Sequence, residues 1–431
     1  MFGLPMPQPR PALATALALL ACAAPAAAAP DPLRGSQWGL DVVEADAAHA
    51  TATGAGAVVA VIDSGVLAGH PDLQGRLLPG RDFVQNDSTP QDGNGHGTHV
   101  TGIVAANAGN GVGVDSVAPA AAVLPLRVLD DEGSGDAGDV AEAVDYAVAH
   151  GAQVINMSLG GDVPLFGAGG TPELNAALGR AAAAGVVIVA AAGNNSVPVC
   201  EQPAVEGRLL CVGAVDRRGI RSFFSSFPGG RGVMGPGGSG LGIGDEDVLS
   251  TWNDGRYEYV AGTSQATPHV AGVAALLVSL GLRGQAVVDR ILSTATDAGP
   301  PGQDDQYGSG VVNARAAVAG LAPPPGGGGG GAKGSTSIRR SHRIKTVLKH
   351  GVNVRCRPAR SGRCTARIVA GSTTLAYGSA KTRAGRTATV IARVTKAGRR
   401  RLERVRKSLS ANAEIAMPGS ATRVVKLTFR R

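Results

Sequence analysis

The chain of 431 residues is too long for one small module and long enough for two domains, one with a sizeable core. Hydrophobic residues at 44% and charged residues at 17% exclude a disordered chain, and aromatics at 3% mean that the cores are built from Val, Ile, Leu and Ala. The net charge of +8 is a difference between opposites: residues 333–431 carry 26 Lys+Arg against Glu403 and Glu414, a net +24, and the remainder carries −16.

At the N-terminus, Arg10, the apolar run 13–22 and the small residues 26–29 read as an export signal over residues 1–29, with the mature chain starting near Pro30. A second reading makes Leu19-Leu20-Ala21-Cys22 a lipoprotein box with Cys22 acylated. Pro11 and Pro25 break the run, and no other stretch approaches the roughly 18 apolar residues of a spanning helix. The protein is expected to be secreted or held at the cell surface. Beyond Cys22, Cys200 pairs in spacing with Cys211 and Cys356 with Cys364, as local disulfides of an oxidising compartment would. A zinc site is the weaker alternative, because the four cysteines fall in two domains with no nearby histidine pair.

Apolar runs at 58–62, 123–128, 154–157 and 186–192 alternate with helical patterns at 137–149 and 173–184. Continuous apolar strands alternating with helices predict a doubly wound, mostly parallel α/β sheet over residues 30–321. Polar residues just after the strands are then the place to look for chemistry. Three prolines and six consecutive glycines predict a flexible linker at 322–337. Residues 338–431 carry β-branched stretches at 365–369, 387–394 and 423–429 and one helical piece at 396–407, which predicts a small basic β-rich domain. No internal repeat is visible.

Three segments of the first domain stand out. The run 58–62 ends in Asp63-Ser64-Gly65, a carboxylate where a buried strand opens into a loop; an aspartate there also serves as a turn or cap residue. Asp92-Gly93-Asn94-Gly95-His96-Gly97-Thr98-His99 places His96 at the start of a helix among glycines, where an imidazole can act as a base, with His99 turned inward as a structural residue. Ala261-Gly262-Thr263-Ser264-Gln265-Ala266-Thr267-Pro268 precedes an apolar helical run at 273–280. Ser264 reads either as a simple N-cap or as a hydroxyl that the helix dipole favours as a nucleophile.

Together, Asp63, His96 and Ser264 in that order, 33 and 168 residues apart, resemble the subtilase family of serine endopeptidases over residues 31–320. The resemblance implies peptide-bond hydrolysis through an acyl-enzyme, with Ser264 as nucleophile, His96 as general base and acid, and Asp63 orienting the imidazole. It implies an oxyanion hole at Asn194 in Ala191-Ala192-Gly193-Asn194, with Asn195 as a decoy. It also implies peptide-binding edges at Ser158-Leu159-Gly160 and Gly133-Ser134-Gly135, recognised by strand addition, and a tolerant pocket favouring apolar side chains.

A structural calcium is implied at Asp31, Asp72 and Asn110 with backbone carbonyls of Ala108, Val112 and Val114. The sequence departs from the family pattern at Gln265, commonly Met there, so activity is expected to survive peroxide. A folding pro-domain, common in secreted relatives, has no room between the predicted cleavage point and the first motif. A binding protein on a retired protease scaffold is the rival class and predicts a damaged triad or oxyanion Asn, whereas Asp63, His96, Ser264 and Asn194 are all present.

The basic domain, with Arg399-Arg400-Arg401, Arg404, Arg406 and Lys407, is expected to favour polyanions such as acidic wall or envelope polymers, or else to be a soluble spacer. No nucleic-acid motif is present, with only Tyr377 and Phe429 as aromatics, and a monomer is expected.

Overall fold

The structure, a computed structural model, describes residues 30–159, 171–201, 209–322, 335–358, 362–371, 373–383, 386–417 and 420–431. The export signal with Cys22, Gly160 and most of the linker lie outside the described residues.

The first domain runs α1 (Trp38–Val42), α2 (Ala45–His49), β1 (Val58–Asp63), β2 (Arg81–Asp82), α3 (His96–Ala105), β3 (Ala122–Arg127), α4 (Ala137–Ala149), β4 (Val154–Met157), α5 (Pro172–Ala183), β5 (Val187–Ala191), β6 (Leu210–Val215), β7 (Val233–Pro236), β8 (Val248–Thr251), β9 (Tyr257–Val260), α6 (Thr263–Ser279), α7 (Gln285–Ser293) and α8 (Ala314–Val318). Seven strands form one parallel sheet in the order β2-β3-β1-β4-β5-β6-β7. The chain lays β2 and β3 on one side of β1 and then crosses to β4 on the other, so the winding reverses beside β1. In such sheets a crevice opens at that point beyond the carboxyl ends of the strands.

The strand sequences are apolar throughout because both faces are covered. Val59 and Val61 of β1 join one core with α3 and α6, whereas Ala60 and Ile62 join a second core with α4 and α5. Helix α6 is the central support. It is buried along nearly its whole length, begins well before the apolar run 273–280, and packs against α3 and strands β4 to β7. Burial of Leu276 and Leu277 contributes on the order of 1.5–3 kcal/mol each.

The C-terminal domain has β10 (Ser335–Ile338), β11 (Ser341–Arg343), α9 (Ile344–His350), β12 (Val352–Arg357), β13 (Gly362–Ala370), β14 (Thr373–Thr382), β15 (Ala388–Val394), α10 (Lys396–Glu403), β16 (Ser408–Met417) and β17 (Ser420–Arg430). They make an eight-stranded sheet, β10-β12-β15-β14-β13-β16-β17-β11, antiparallel except for β11 with β17. Its strands alternate. Val352, Val354 and Cys356 of β12 point into the core, and Asn353, Arg355 and Arg357 point out. Both disulfides form, Cys200–Cys211 and, buried between β12 and β13, Cys356–Cys364.

Candidate active site

Asp63 is the last residue of β1 and is fully buried. His96 opens α3, and its Nδ1 lies 2.7 Å from Asp63 Oδ1, which also accepts the backbone N–H of Ser64 at 2.8 Å. An ionised carboxylate only accepts, so Nδ1 carries the proton and Nε2 presents its lone pair. Among the described residues Asp63 Oδ2 has no hydrogen-bond partner, which leaves a buried negative oxygen to favour a positive imidazole. Burial lowers the His96 pKa, but the charge and hydrogen bond of Asp63 and the charge of Asp92 outweigh it, and the net shift is upward.

This geometry depends on close packing of α3 against the end of β1. At Gly97 a Cβ would fall 2.2 Å from the Gly65 carbonyl oxygen, so no other residue lets the helix start there. His99 is buried one turn on, its Nε2 3.1 Å from the carbonyls of both Val248 and Glu258 in the β8–β9 hairpin. Burial, with help from the neighbouring His96, pushes its pKa down to about 3, so it is neutral and serves the packing.

Ser264 lies in the first turn of α6, behind Gly262. Its hydroxyl donates to the Ser158 carbonyl at 3.1 Å. Asn194 follows β5, and its Oδ1 accepts the Thr263 backbone N–H at 2.9 Å and the Thr263 hydroxyl at 3.0 Å. A backbone N–H can only donate, so the amide orientation is fixed and the NH₂ is left as a donor beside the start of α6. Asn195 is held by Glu201 instead, its Nδ2 2.6 Å from Oε2. Thus the ends of β1, β4 and β5 and the starts of α3 and α6 bring Asp63, Ser158, Asn194, His96 and Ser264 to one edge of the sheet.

The sequence model of the Subtilase family matches residues 54–310. The chain belongs to the subtilase family. Thermitase from Thermoactinomyces vulgaris is 41% identical over 282 residues, spanning 65% of this chain and 95% of thermitase. Subtilisin Savinase from Lederbergia lenta is 39% identical over 283 residues, spanning 65% and 97%. A protease from Pseudoalteromonas arctica superposes with a TM-score of 0.61 at 34% identity, covering 68% of this chain and 99% of that one. This subtilase is a serine-type endopeptidase.

The remaining expected residues fall in two groups, one beside this edge and one on the loop that follows the far end of α3. Ser158 is buried just past β4, and the Leu159 side chain is taken up by the second core. Gly133, Ser134 and Gly135 form a turn in which the Asp130 N–H donates to the Ser134 carbonyl at 2.8 Å. A Cβ at Gly133 would lie 3.6 Å from Asn94 Nδ2, so this turn borders the loop that leads into His96.

On the loop 107–114, Asp31 accepts the N–H groups of Gly109, Asn110 and Gly111 at 2.6, 2.9 and 3.0 Å. The fully buried Asp72 accepts the Val114 N–H and the Asn110 amide, both at 2.8 Å, and the Asn110 carbonyl oxygen accepts the Val112 N–H. Among the described residues no Lys or Arg pairs with Asp31 or Asp72, and burial raises the Asp72 pKa against the hydrogen bonds of Val114, Asn110 and Tyr257. Two buried carboxylates without a cationic partner and the Asn110 carboxamide meet here, oxygen donors of the kind a hard divalent cation takes, and Ala108, Val112 and Val114 lie on the same loop.

Sequence reasoning missed Asp92. It is buried, and its Oδ1 accepts from the Ser64 hydroxyl and from Asn94 and Gly95 N–H, while Oδ2 accepts both Thr98 donors. Asp92 therefore ties the end of β1 to the start of α3. The motif contains it, but only its neighbours in space reveal the role.

Proposed function

We propose that this subtilase is an exported endopeptidase in which Ser264 attacks the scissile carbonyl, His96 Nε2 takes its proton and later returns it to the leaving amine, and Asp63 holds the imidazole and stabilises its cation. The observation that carries this reading is the 2.7 Å contact between His96 Nδ1 and the fully buried Asp63. The Asn194 NH₂, fixed by Thr263, and the Ser264 N–H at the start of α6 are the donors for the tetrahedral oxyanion. The loss reported for such a donor in subtilisin, roughly 100- to 1,000-fold in kcat, is carried over as the expectation for Asn194→Ala. Extended peptides bind along Ser158-Leu159-Gly160 and Gly133-Ser134-Gly135 by strand addition.

Asp31, Asp72, Asn110 and the carbonyls of Ala108, Val112 and Val114 hold a calcium ion, which when bound neutralises the two buried carboxylates and fixes the loop. Residues 1–29 direct export, which agrees with the two disulfides. The outward cations of the C-terminal sheet, Arg355, Arg357 and Arg393 among them, retain the enzyme on acidic wall or envelope polymers. The protein acts as a monomer.

The decisive experiment is hydrolysis of an unfolded protein by the purified mature chain beside Ser264→Ala, with calcium present. Turnover lost in the variant, together with phosphonate labelling of Ser264 in the parent, is the expected result. Turnover that survives the substitution overturns the assignment.

A further inference from the structure

Helix α6 has a proline inside it, Pro268. Proline lacks an amide hydrogen, and the helical bond it cannot make runs from residue 268 back to the carbonyl four residues earlier. That carbonyl belongs to Ser264. The residue with the reactive hydroxyl therefore has a carbonyl oxygen deprived of its ordinary i+4 donor.

A donor arrives from another element. The Ser158 hydroxyl, just beyond β4 and 3% exposed, donates to the Ser264 carbonyl at 2.7 Å. Asn156, wholly buried on β4, donates from Nδ2 to the Ser158 oxygen at 3.0 Å. A carbonyl only accepts, so the Ser158 hydroxyl gives its hydrogen to Ser264 and its oxygen is left to accept from the Asn156 NH₂. The Ser264 hydroxyl donates back to the Ser158 carbonyl at 3.1 Å. Two hydrogen bonds in opposite directions thus join residues 158 and 264 across the gap between a strand end and a helix start.

We propose that Ser158 is a positioning residue whose hydroxyl replaces, on the Ser264 carbonyl, the amide that Pro268 removes, and so fixes the nucleophile against the substrate-facing end of β4. This rests on the reading of Ser264 as the nucleophile. Without the hydroxyl, the first turn of α6 must tighten or shift to satisfy its carbonyl, and the Ser264 oxygen moves with it. A misplacement of about 1 Å at a reacting group can cost on the order of 100-fold in rate.

The test is a double-mutant cycle on kcat and KM, with active sites titrated by a phosphonate. Ser158→Ala is expected to lower kcat by roughly 10- to 100-fold with KM little changed. Pro268→Ala supplies an amide at the missing place, so in that background removing the Ser158 hydroxyl is expected to cost about threefold or less. An equal cost in both backgrounds overturns the proposal. So does a rise in KM at unchanged kcat, which would make the hydroxyl a substrate contact. If Ser158→Ala fails to fold, a folded and titratable Ser158→Ala/Pro268→Ala chain supports the proposal, and failure of both sinks it. Ser264→Ala is assayed alongside, and turnover in that variant removes the underlying reading of Ser264 whatever the cycle gives.

Discussion

The Asp92 carboxylate receives the Thr98 backbone N–H at 2.8 Å and the Thr98 hydroxyl at 2.5 Å, on the same oxygen. Its other oxygen receives the Ser64 hydroxyl at 2.9 Å, and the same Ser64 hydroxyl oxygen accepts the Gly97 N–H at 2.9 Å. The pair Asp63 and His96 is therefore held from behind by a second buried carboxylate, which also adds negative charge near the imidazole.

This predicts a pH signature. The base must be neutral to act, and the His96 pKa is raised, so the acid limb of kcat/KM lies above the ordinary histidine value of about 6.5. The sign on stability follows: a histidine whose pKa rises on folding adds stability below its unfolded value, which is lost as the pH rises through the folded one. Asp92→Asn removes one of the charges that raise it, next to those of Asp63, while His99 stays neutral. The limb is expected to move to lower pH, with stability reduced by about 1–3 kcal/mol for the imperfectly replaced hydrogen bonds. A pH–rate profile of both proteins checks this, and an unmoved acid limb contradicts it.

Calcium should act on stability before chemistry. Asp31 and Asp72 meet on one loop without a cationic partner among the described residues, so an ion bound there stabilises the fold by mass action, about 2.7 kcal/mol at a hundredfold excess over Kd. Melting curves in excess calcium and in chelator are expected to differ by several degrees. In Asp31→Ala that difference should vanish. A parent protein indifferent to the chelator argues against the site.

How much of this was legible beforehand depended on the distance over which each residue acts. The strands 58–62 and 154–157 and the helix 137–149 follow from local periodicity, and β4 and α4 have those same bounds. Ser264, His96 and Asp63 were readable because glycines and short motifs surround them. Strands β6 and β7 and the β8–β9 hairpin were not picked out, since short apolar runs among many glycines give little pattern. Pro268 was visible in its motif, but that its missing amide is answered by Ser158 depends on a contact between segments far apart in the chain. The same holds for Trp252, which closes over Gly95, and for Glu201, which pins Asn195.

Gly95 makes that long-range dependence testable. Its φ of 109° disfavours any side chain, and a Cβ would lie 2.5 Å from the Trp252 ring. Gly95→Ala is expected to displace the start of α3 and to cost at least 1–2 kcal/mol from backbone strain alone. Adding Trp252→Ala removes the clash and leaves the strain, so the double variant should recover part of the activity, measured as kcat per titrated site. No recovery would mean that the backbone angle alone decides.

The last prediction concerns the segment that follows Asn194. Cys200–Cys211, eleven residues apart, ties its far end to β6, and next to the bridge Glu201 accepts from Asn195 and from the Ser226 hydroxyl, while its backbone N–H donates to the Ala192 carbonyl. A crosslink of this span restricts the unfolded chain by about 3 kcal/mol or somewhat less. Its removal also frees the segment that aims the Asn194 amide, which matters only when the oxyanion forms. Cys200→Ser/Cys211→Ser is therefore expected to lower kcat more than it changes KM, and to make further loss from Asn194→Ala much smaller than in the parent, because both changes remove the same donor from its place. Independent, multiplicative losses would show that the bridge serves stability alone.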